Sequence, residues 1–281
     1  MSCSIDDAKK TMRQVNQYIL EQDEDCKSII SEMRQVEEFL HEFGFLTYGR
    51  DYIMCGGYVF SLQLVSAACE LTVGSIISCC QSGCLADAYT LLRKYRDDLF
   101  FYLYIMVYDA IYKLESSSKQ IDSMRERIEE WINNGLQDMH IGKVLRAISK
   151  YPGIEDAVKK FRLKLYFDKI RVSLNNYVHS NGVGFYNRNV NSYNKLHIHM
   201  RDLLNNLRFI TITFLFLLTL CSPHFIMSTD YIDCLENNMT PPEGSQHRVA
   251  PFVADFFQNN QSLIDDSCMR YLMEKTNMEF E

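Results

Sequence analysis

The stretch Leu99–Tyr108 reads LFFYLYIMVY, ten consecutive residues without a charged side chain. A helix built from these residues is apolar on every side, yet ten residues are too few to cross a bilayer. Such a helix needs other helices around it, which places this stretch at the centre of a bundle. The helical pattern that contains it extends from Cys84 to about Leu114.

Long helices are also expected on the N-terminal side, because no proline precedes residue 152. Residues Asp6 to Phe43 predict one long amphipathic helix, with apolar side chains mostly three or four positions apart. Four glycines make the segment 44–58 a predicted loop, and an apolar helix is expected from Tyr58 to Cys80. The apolar stripe of the long helix consists of Met12, Val15, Ile19, Cys26, Ile29, Met33, Val36 and Leu40.

Helical patterns continue beyond residue 120, and turn-forming residues separate them. No segment sustains the alternation typical of strands, so the predicted fold class is all-α, a helical bundle. We expect a long N-terminal helix and loop over 1–50, the bundle over 51–225, and a tail of short helices over 226–281. The expected segments are helices at Asp122–Asn134, Ile141–Lys150, Ile154–His179 and Ser192 to about Ser222, loops at 115–120 and 181–191, and two short helices after Pro241.

Composition indicates a globular protein in a reducing compartment. The chain is 47% hydrophobic and 23% charged, and its ten cysteines are scattered without a disulfide framework. The acidic, polar N-terminus does not match a signal peptide, which favours a cytoplasmic location. A net charge of -7 disfavours bulk attraction to nucleic acid or anionic lipid, although a local basic surface is compatible with it.

One segment leaves a membrane location open. Phe209 to Thr229 contains no Asp, Glu, Lys or Arg over 21 residues, about the length of a membrane span. Its strongly apolar part is shorter, and three threonines, Pro223 and His224 favour a buried bundle helix over Phe209–Leu220. Membrane association through Phe209 to Met227 is therefore the alternative to the cytoplasmic prediction.

The first polar constellation lies within the apolar helix around LLRKYRDDLFF. Arg93, Arg96 and Asp97 occupy positions i, i+3 and i+4 and so share one helical face. One interpretation is an ion pair at the rim of the bundle. The other is a polar site inside the bundle, where Arg and Asp hold each other and a third group.

The second constellation lies in LNNYVHSNG. Asn175 and His179 are one turn apart, so the amide could orient the imidazole. The helix C-terminus favours the protonated imidazole, which suits acid-base chemistry near neutral pH. The alternative is a histidine that caps terminal carbonyls, with Asn175 simply a polar residue on the helix surface.

The third feature is a basic segment from Lys143 to Arg171, where nine basic and three acidic side chains give +6. An anionic ligand such as RNA would find its surface there. Ordinary solvated helix faces are the alternative interpretation. The candidate RNA-binding residues are Lys159, Lys160, Arg162, Lys164 and Lys169.

Neither a metal nor another cofactor is expected. Cys79, Cys80 and Cys84 lack the spacing of zinc ligands, and His197 and His199 point to different sides of a helix. The chain also lacks a glycine-rich phosphate loop and the GxSxG and HExxH motifs.

The pair of segments LLRKYRDDLFFYLYI and LNNYVHSNG resembles the HEPN superfamily over roughly residues 60–190. That resemblance implies a bundle of four to six helices, often dimeric. Many such proteins are metal-independent ribonucleases in toxin, CRISPR and phage-defence systems. The implied motif is an arginine followed after four to six residues by a histidine. His179 takes the histidine position, and the nearest upstream arginine is Arg171, with seven residues between them.

Two main functional hypotheses follow, and they differ in what His179 does. In a ribonuclease, His179 would exchange the proton of an attacking RNA 2′-OH, while Arg171, Arg93 or Arg96 stabilises the phosphorane. In a non-catalytic interaction module or dimerisation scaffold, Asn175 and His179 instead join Arg93 and Asp97 in a structural network. RNA, a second copy of the chain or a helical protein partner are the expected partners, with a membrane as the further alternative.

Overall fold

The computed structural model describes residues 14–15, 17–114, 118–135, 141–179, 182–183, 195–264 and 266–280. These residues are mainly helical and contain one two-stranded hairpin, so the predicted all-α helical bundle is confirmed. The principal elements are α1 Glu24–Thr47, β1 Tyr52–Cys55, β2 Tyr58–Ser61, α2 Gln63–Gln81, α3 Leu85–Leu114, α4 Lys119–Ile132, α5 Ile141–Ile148, α6 Pro152–Lys160, α7 Leu163–Val178, α8 Leu196–Cys221, α9 Asp230–Glu236, α10 Pro251–Asn259 and α11 Asp266–Thr276.

The chain divides into two compact units, each assembled from segments that are distant in sequence. The first unit comprises 1–38, 69–96 and 165–208, and the second comprises 39–68, 97–164 and 209–281. The helices α1, α2, α3, α7 and α8 each contribute residues to both units. This partition differs from the three consecutive segments expected from the sequence, because long helices are shared between units.

The apolar stretch of α3 lies at the centre of the second unit. All ten residues of Leu99–Tyr108 are at most 3% exposed, which confirms their predicted central position. Phe101 packs on Trp131 of α4 at 5.3 Å between ring centroids, and Tyr102 meets Phe214 of α8 edge-on at 5.5 Å. Full burial of one such side chain contributes roughly 1.5–3 kcal/mol. Truncating Phe101 to alanine would therefore open a costly cavity.

Within the described residues, α2 and α8 are the two helices long and apolar enough to span a membrane. Core helices of soluble proteins meet the same criterion, so this is weak support for a span. The apolar window of α8 is 72% buried inside the structure. Thr219 is fully buried and donates its hydroxyl hydrogen bond to the Leu215 carbonyl at 2.8 Å, as expected for a buried threonine.

The predicted single helix over 6–43 is wrong in its continuity. Residues 14–15 and 17–22 are helical, but the helix is interrupted at Asp23. The Asp23 carboxylate accepts hydrogen bonds from the backbone N–H groups of Asp25 and Cys26 at 2.9 and 3.2 Å, so it caps a new helix, α1. The stripe residues from Cys26 to Leu40 are buried, whereas Val15 is exposed. Residues 6–13, which include Met12, lie outside the described residues.

The predicted loop over 44–58 is also wrong, because α1 continues to Thr47 and a β-hairpin follows. Its strands pair Met54 with Val59 and Cys55 with Tyr58. Gly56 and Gly57 form the two-residue turn with φ of 55° and 83°, values that glycine adopts without strain. The hairpin occupies the first residues of the predicted helix 58–80, so α2 begins only at Gln63.

The predicted helix over 154–179 is two helices, α6 and α7. Arg162 lies between them with a left-handed φ of 51°, and Phe161 ends α6 by donating its N–H to the Ala157 carbonyl at 2.9 Å. Most of the predicted loops 115–120 and 181–191, and the predicted helix start at 192–194, lie outside the described residues.

Candidate functional site

In the first unit, the two helices that carry the predicted polar constellations contact each other through tyrosines. The rings of Tyr89 on α3 and Tyr177 on α7 stack at 3.9 Å with a 2° interplanar angle. The Tyr89 hydroxyl donates to Asp202 Oδ2 at 2.7 Å and lies 3.2 Å from the His199 carbonyl oxygen. We call Tyr89, Tyr177, His199 and Asp202 the tyrosine junction.

The junction is a hydrogen-bonding site rather than a source of a catalytic base. Tyr89 is completely buried, and this burial, together with the nearby Tyr177 and Asp202, raises the pKa of Tyr89 far above its ordinary value. Its hydroxyl therefore stays protonated and acts only as a donor. Sequence reasoning missed the junction, because a tyrosine in an apolar helix gives no signal distinct from ordinary core packing.

Two predicted site residues share the α3 face that carries Tyr89. Arg93 and Arg96 follow Tyr89 by four and seven positions, which places all three on one side of the helix. Arg96 is only 3% exposed and Arg93 is half-buried. Burying a guanidinium costs free energy unless other groups interact with it, and both arginines have interacting groups. Asp97 is half-buried and belongs to the second unit.

Asn175 and His179 lie on the other side of α7 from the tyrosine junction. Each is two positions from Tyr177, which corresponds to about 200° around a helix. His179 is exposed and Asn175 is half-buried. Their hydrogen bond is between backbone groups: the His179 backbone N–H donates to the Asn175 carbonyl at 3.0 Å. The structure thus brings Tyr89 against α7, and a pocket shared by His179 with Arg93, Arg96 or Asp97 stays a prediction.

The solvent side of α7 carries the other predicted groups of the first unit. Lys169 and Arg171 are exposed, and Arg171 forms an ion pair with Asp168 at 3.3 Å. Because both partners are about half exposed, this pair contributes little to stability and can open to another anion. We call Arg171, Asn175 and His179, which are spaced four positions apart, the α7 outer face.

The remaining predicted RNA-binding residues belong to the second unit. Lys159 pairs with Glu155, which raises the pKa of the Lys159 ammonium. The Lys160 ammonium lies over the Tyr271 ring at 4.7 Å from its centroid, a cation–π contact. Arg162 and Lys164 are exposed. All four cations are at the surface, and Lys159 and Lys160 already interact with groups of this chain.

A charged cluster in the first unit joins α1 to α8. Glu32 pairs with Arg201 at 2.7 Å and with Arg208 at 2.8 Å. Burial raises the pKa of Glu32, but hydrogen bonding to Arg201 and the charges of both arginines bring that pKa below its ordinary value. The sequence gives no sign of this cluster, because its members are about 170 positions apart.

Within twenty residues of the second unit, six large apolar side chains have exposed fractions from 61% to 79%. They come from the end of α1, one face of the hairpin and the start of α2. We call this set the apolar surface: Phe45, Tyr48, Tyr52, Met54, Val59 and Leu64.

Within residues 45–64 no charged side chain is fully exposed. Between Glu42 and Glu70 the chain has only two charged residues, Arg50 and Asp51. Arg50 is half-buried and donates to the His224 and Met227 carbonyls at 3.4 Å. Asp51 is 1% exposed and accepts a hydrogen bond from the Ser61 hydroxyl at 3.0 Å. Asp51 is therefore buried, and the Arg50 guanidinium is bound to backbone carbonyls.

Hydrogen bonds fix the parts of the apolar surface to one another. The Gln63 side-chain amide donates to the Gly44 carbonyl at 3.3 Å and ties α2 to α1. The Leu62 N–H donates to the Asp51 carbonyl at 3.1 Å, which closes the base of the hairpin.

The opposite face of the hairpin packs onto α4. Phe60 contacts Trp131 at 5.8 Å between ring centroids, and Ile53 is buried. The packing of this buried face onto α4 therefore fixes the position of the exposed face of the hairpin.

Among the described residues, no group of three or more His, Cys, Asp or Glu side chains is arranged to hold a metal ion. Comparison with known proteins adds no assignment. No protein-family model matches this chain, and neither the curated proteins nor the solved structures give a significant match.

Proposed function

We propose that this protein is a non-catalytic helical interaction module that binds another polypeptide chain through the apolar surface. The observation that carries the proposal is the exposure of six large apolar side chains in a segment without a fully exposed charge. Soluble proteins rarely expose contiguous apolar patches of this kind unless the patch has a partner. Tyrosine, phenylalanine and methionine are also the residues that protein interfaces favour.

The charge distribution favours a protein partner over lipid or nucleic acid. Peripheral attachment to anionic membranes and binding to phosphates both need basic side chains near the contact. Between Lys27 and Arg93, the chain contains only two basic residues, Arg34 and Arg50. Arg50 is held by backbone carbonyls, so residues 45–64 themselves offer no cation to a phosphate.

Site-specific photo-crosslinking in the native cells tests this proposal. A photo-reactive phenylalanine at position 54 or 59 should give an adduct with a defined polypeptide, identified by mass spectrometry. The same group at Leu235 or Met239, which are exposed on and just after α9, is the matched control. Absence of adducts above the control level at both 54 and 59 would contradict the proposal.

A second candidate function is RNA binding and cleavage at the α7 outer face, in an HEPN-like ribonuclease of a defence or toxin-type system. The observation that favours it is an exposed His179 on the helix that also exposes Lys169 and Arg171. The imidazole is accessible to an RNA 2′-OH, and Arg171 on the same face could bind a neighbouring phosphate. The resemblance of LNNYVHSNG to the HEPN superfamily points to the same residue.

RNA cleavage in the presence of EDTA tests this candidate. His179→Ala should lower the rate by roughly 10²–10⁴-fold, the usual contribution of a general acid-base group. His197→Ala, which changes a histidine on α8, is the matched control and should keep the wild-type rate. Wild-type protein that leaves both single-stranded and structured RNA intact, with and without divalent metal, would rule this candidate out.

A further inference from the structure

We infer that the partner at the apolar surface is a second copy of this chain, so that the two surfaces meet across a twofold axis. This inference rests on the proposed function and names its partner. It assigns the dimer contact to the hairpin and its neighbours.

The exposed area matches what a dimer requires. At roughly 200 Å² for a large side chain, exposed fractions of 61% to 79% over six residues amount to about 800 Å². A stable protein–protein interface buries about 800 Å² on each partner. The apolar surface is thus large enough to form the core of such an interface without a conformational change.

Because residues 45–64 have no exposed charge, two copies of the apolar surface can meet without electrostatic repulsion between these segments. In a twofold interface each residue lies opposite residues of the same patch, so a patch of one sign would repel its own copy. This chain carries a net charge of -7, yet residues 45–64 contain no exposed carboxylate. Homodimer interfaces are also the more apolar class, as this patch is.

The hairpin provides a firm centre for the contact. Met54 and Val59 are direct cross-strand neighbours on the exposed face, so their side chains form one apolar ridge. Ile53 on the opposite face is buried, which prevents the hairpin from turning its apolar face inward without exposing other apolar groups.

The test is the mass of the full-length protein in solution, measured by analytical ultracentrifugation over a dilution series. We expect a species of twice the 32.9 kDa chain mass. Met54→Lys with Val59→Lys should raise the dissociation constant at least about 100-fold, because four lysines would meet at the twofold contact. The matched control, Leu235→Lys with Met239→Lys, changes two exposed apolar residues elsewhere and should leave the dimer unchanged.

Circular dichroism and thermal melting check that both variants are folded. If the charged hairpin variant unfolds, Tyr52→Ser with Met54→Ser gives a milder removal of the same apolar area. A wild-type chain that stays monomeric at every concentration, or a dimer that survives these substitutions, would overturn the inference. Photo-crosslinks from position 54 to a different polypeptide would then still support the interaction module, so the two failures are distinguishable.

Discussion

The buried carboxylate of Asp51 gives a stability prediction whose sign and pH dependence follow from the structure. Asp51 Oδ2 accepts from Ser61, but Oδ1 is buried and has no hydrogen-bond partner among the described residues. Burial raises the pKa of Asp51, and the Ser61 hydroxyl and the nearby backbone N–H groups of Asp51 and Gln63 only partly oppose this. The ionised form is therefore disfavoured in the folded protein.

We expect Asp51→Asn to stabilise the protein at neutral pH, because asparagine keeps the shape and an acceptor oxygen but carries no charge. Asparagine still leaves one buried polar atom without a partner, but an unsatisfied buried group costs more when it is charged than when it is neutral, so the expected gain is on the order of 1 kcal/mol. For a chain of this size, each kcal/mol corresponds to an increase of roughly 2–4 °C in melting temperature.

The pH dependence of the stability difference tests whether the buried charge of Asp51 is its cause. Because the folded pKa of Asp51 is raised, the stability linked to this group is fully present below its unfolded pKa and is lost as pH rises through its folded pKa. Wild type and Asp51→Asn should therefore have nearly equal stability at low pH and should diverge as pH rises toward neutrality. Urea unfolding of both proteins across this range measures the difference.

Ser61→Ala is the companion variant. Removing the hydroxyl that donates to Asp51 should destabilise wild type more than it destabilises the Asp51→Asn protein. A variant Asp51→Asn that is less stable than wild type at neutral pH, or a difference that does not change with pH, would refute the reasoning.

Three further substitutions have expected outcomes that unfolding experiments can check. Tyr89→Phe should cost about 1 kcal/mol, because it removes the hydrogen bond to the exposed Asp202, which water can then solvate; no loss would mean that the junction is energetically neutral. Asp23→Ala should cost about 0.5–2 kcal/mol by removing the N-cap of α1, and helicity measured by circular dichroism should fall only slightly. Glu32→Gln should cost about 1 kcal/mol at neutral pH; because the folded pKa of Glu32 is lowered, this cost should vanish as pH falls through that pKa, and high salt should reduce it.

The sequence was sufficient for features that depend on local pattern. The apolar run Leu99–Tyr108 and the buried helix over Phe209–Leu220 were predicted because their burial follows from side-chain chemistry alone. The hairpin was missed because its strands have only four residues each, too short for alternation to stand out. The helix interruptions at Asp23 and Arg162 each depend on one residue. Apolar periodicity is judged over many residues, so a single interrupting residue does not change it.

Of the candidate functional surfaces, some were expected from local sequence pattern and others depend on the packing of distant residues. The exposed charges of α7 were expected from the basic composition of the segment. The Glu32 cluster was not, because the pairing of residues far apart in sequence is decided by packing. Four residues of the apolar surface lie in the predicted loop 44–58, and loops are ordinarily expected to be polar. Only the structure shows that these side chains are exposed while Asp51 is buried and Arg50 is bound to backbone carbonyls.

Amide hydrogen exchange across residues 45–64, followed from dilute to concentrated protein, tests most directly whether the apolar surface is an interface. If two copies associate through it, exchange in this segment should slow as concentration rises, while α9 exchanges at a constant rate. Exchange over 45–64 that stays the same at all concentrations would contradict the assignment of this surface to a second copy.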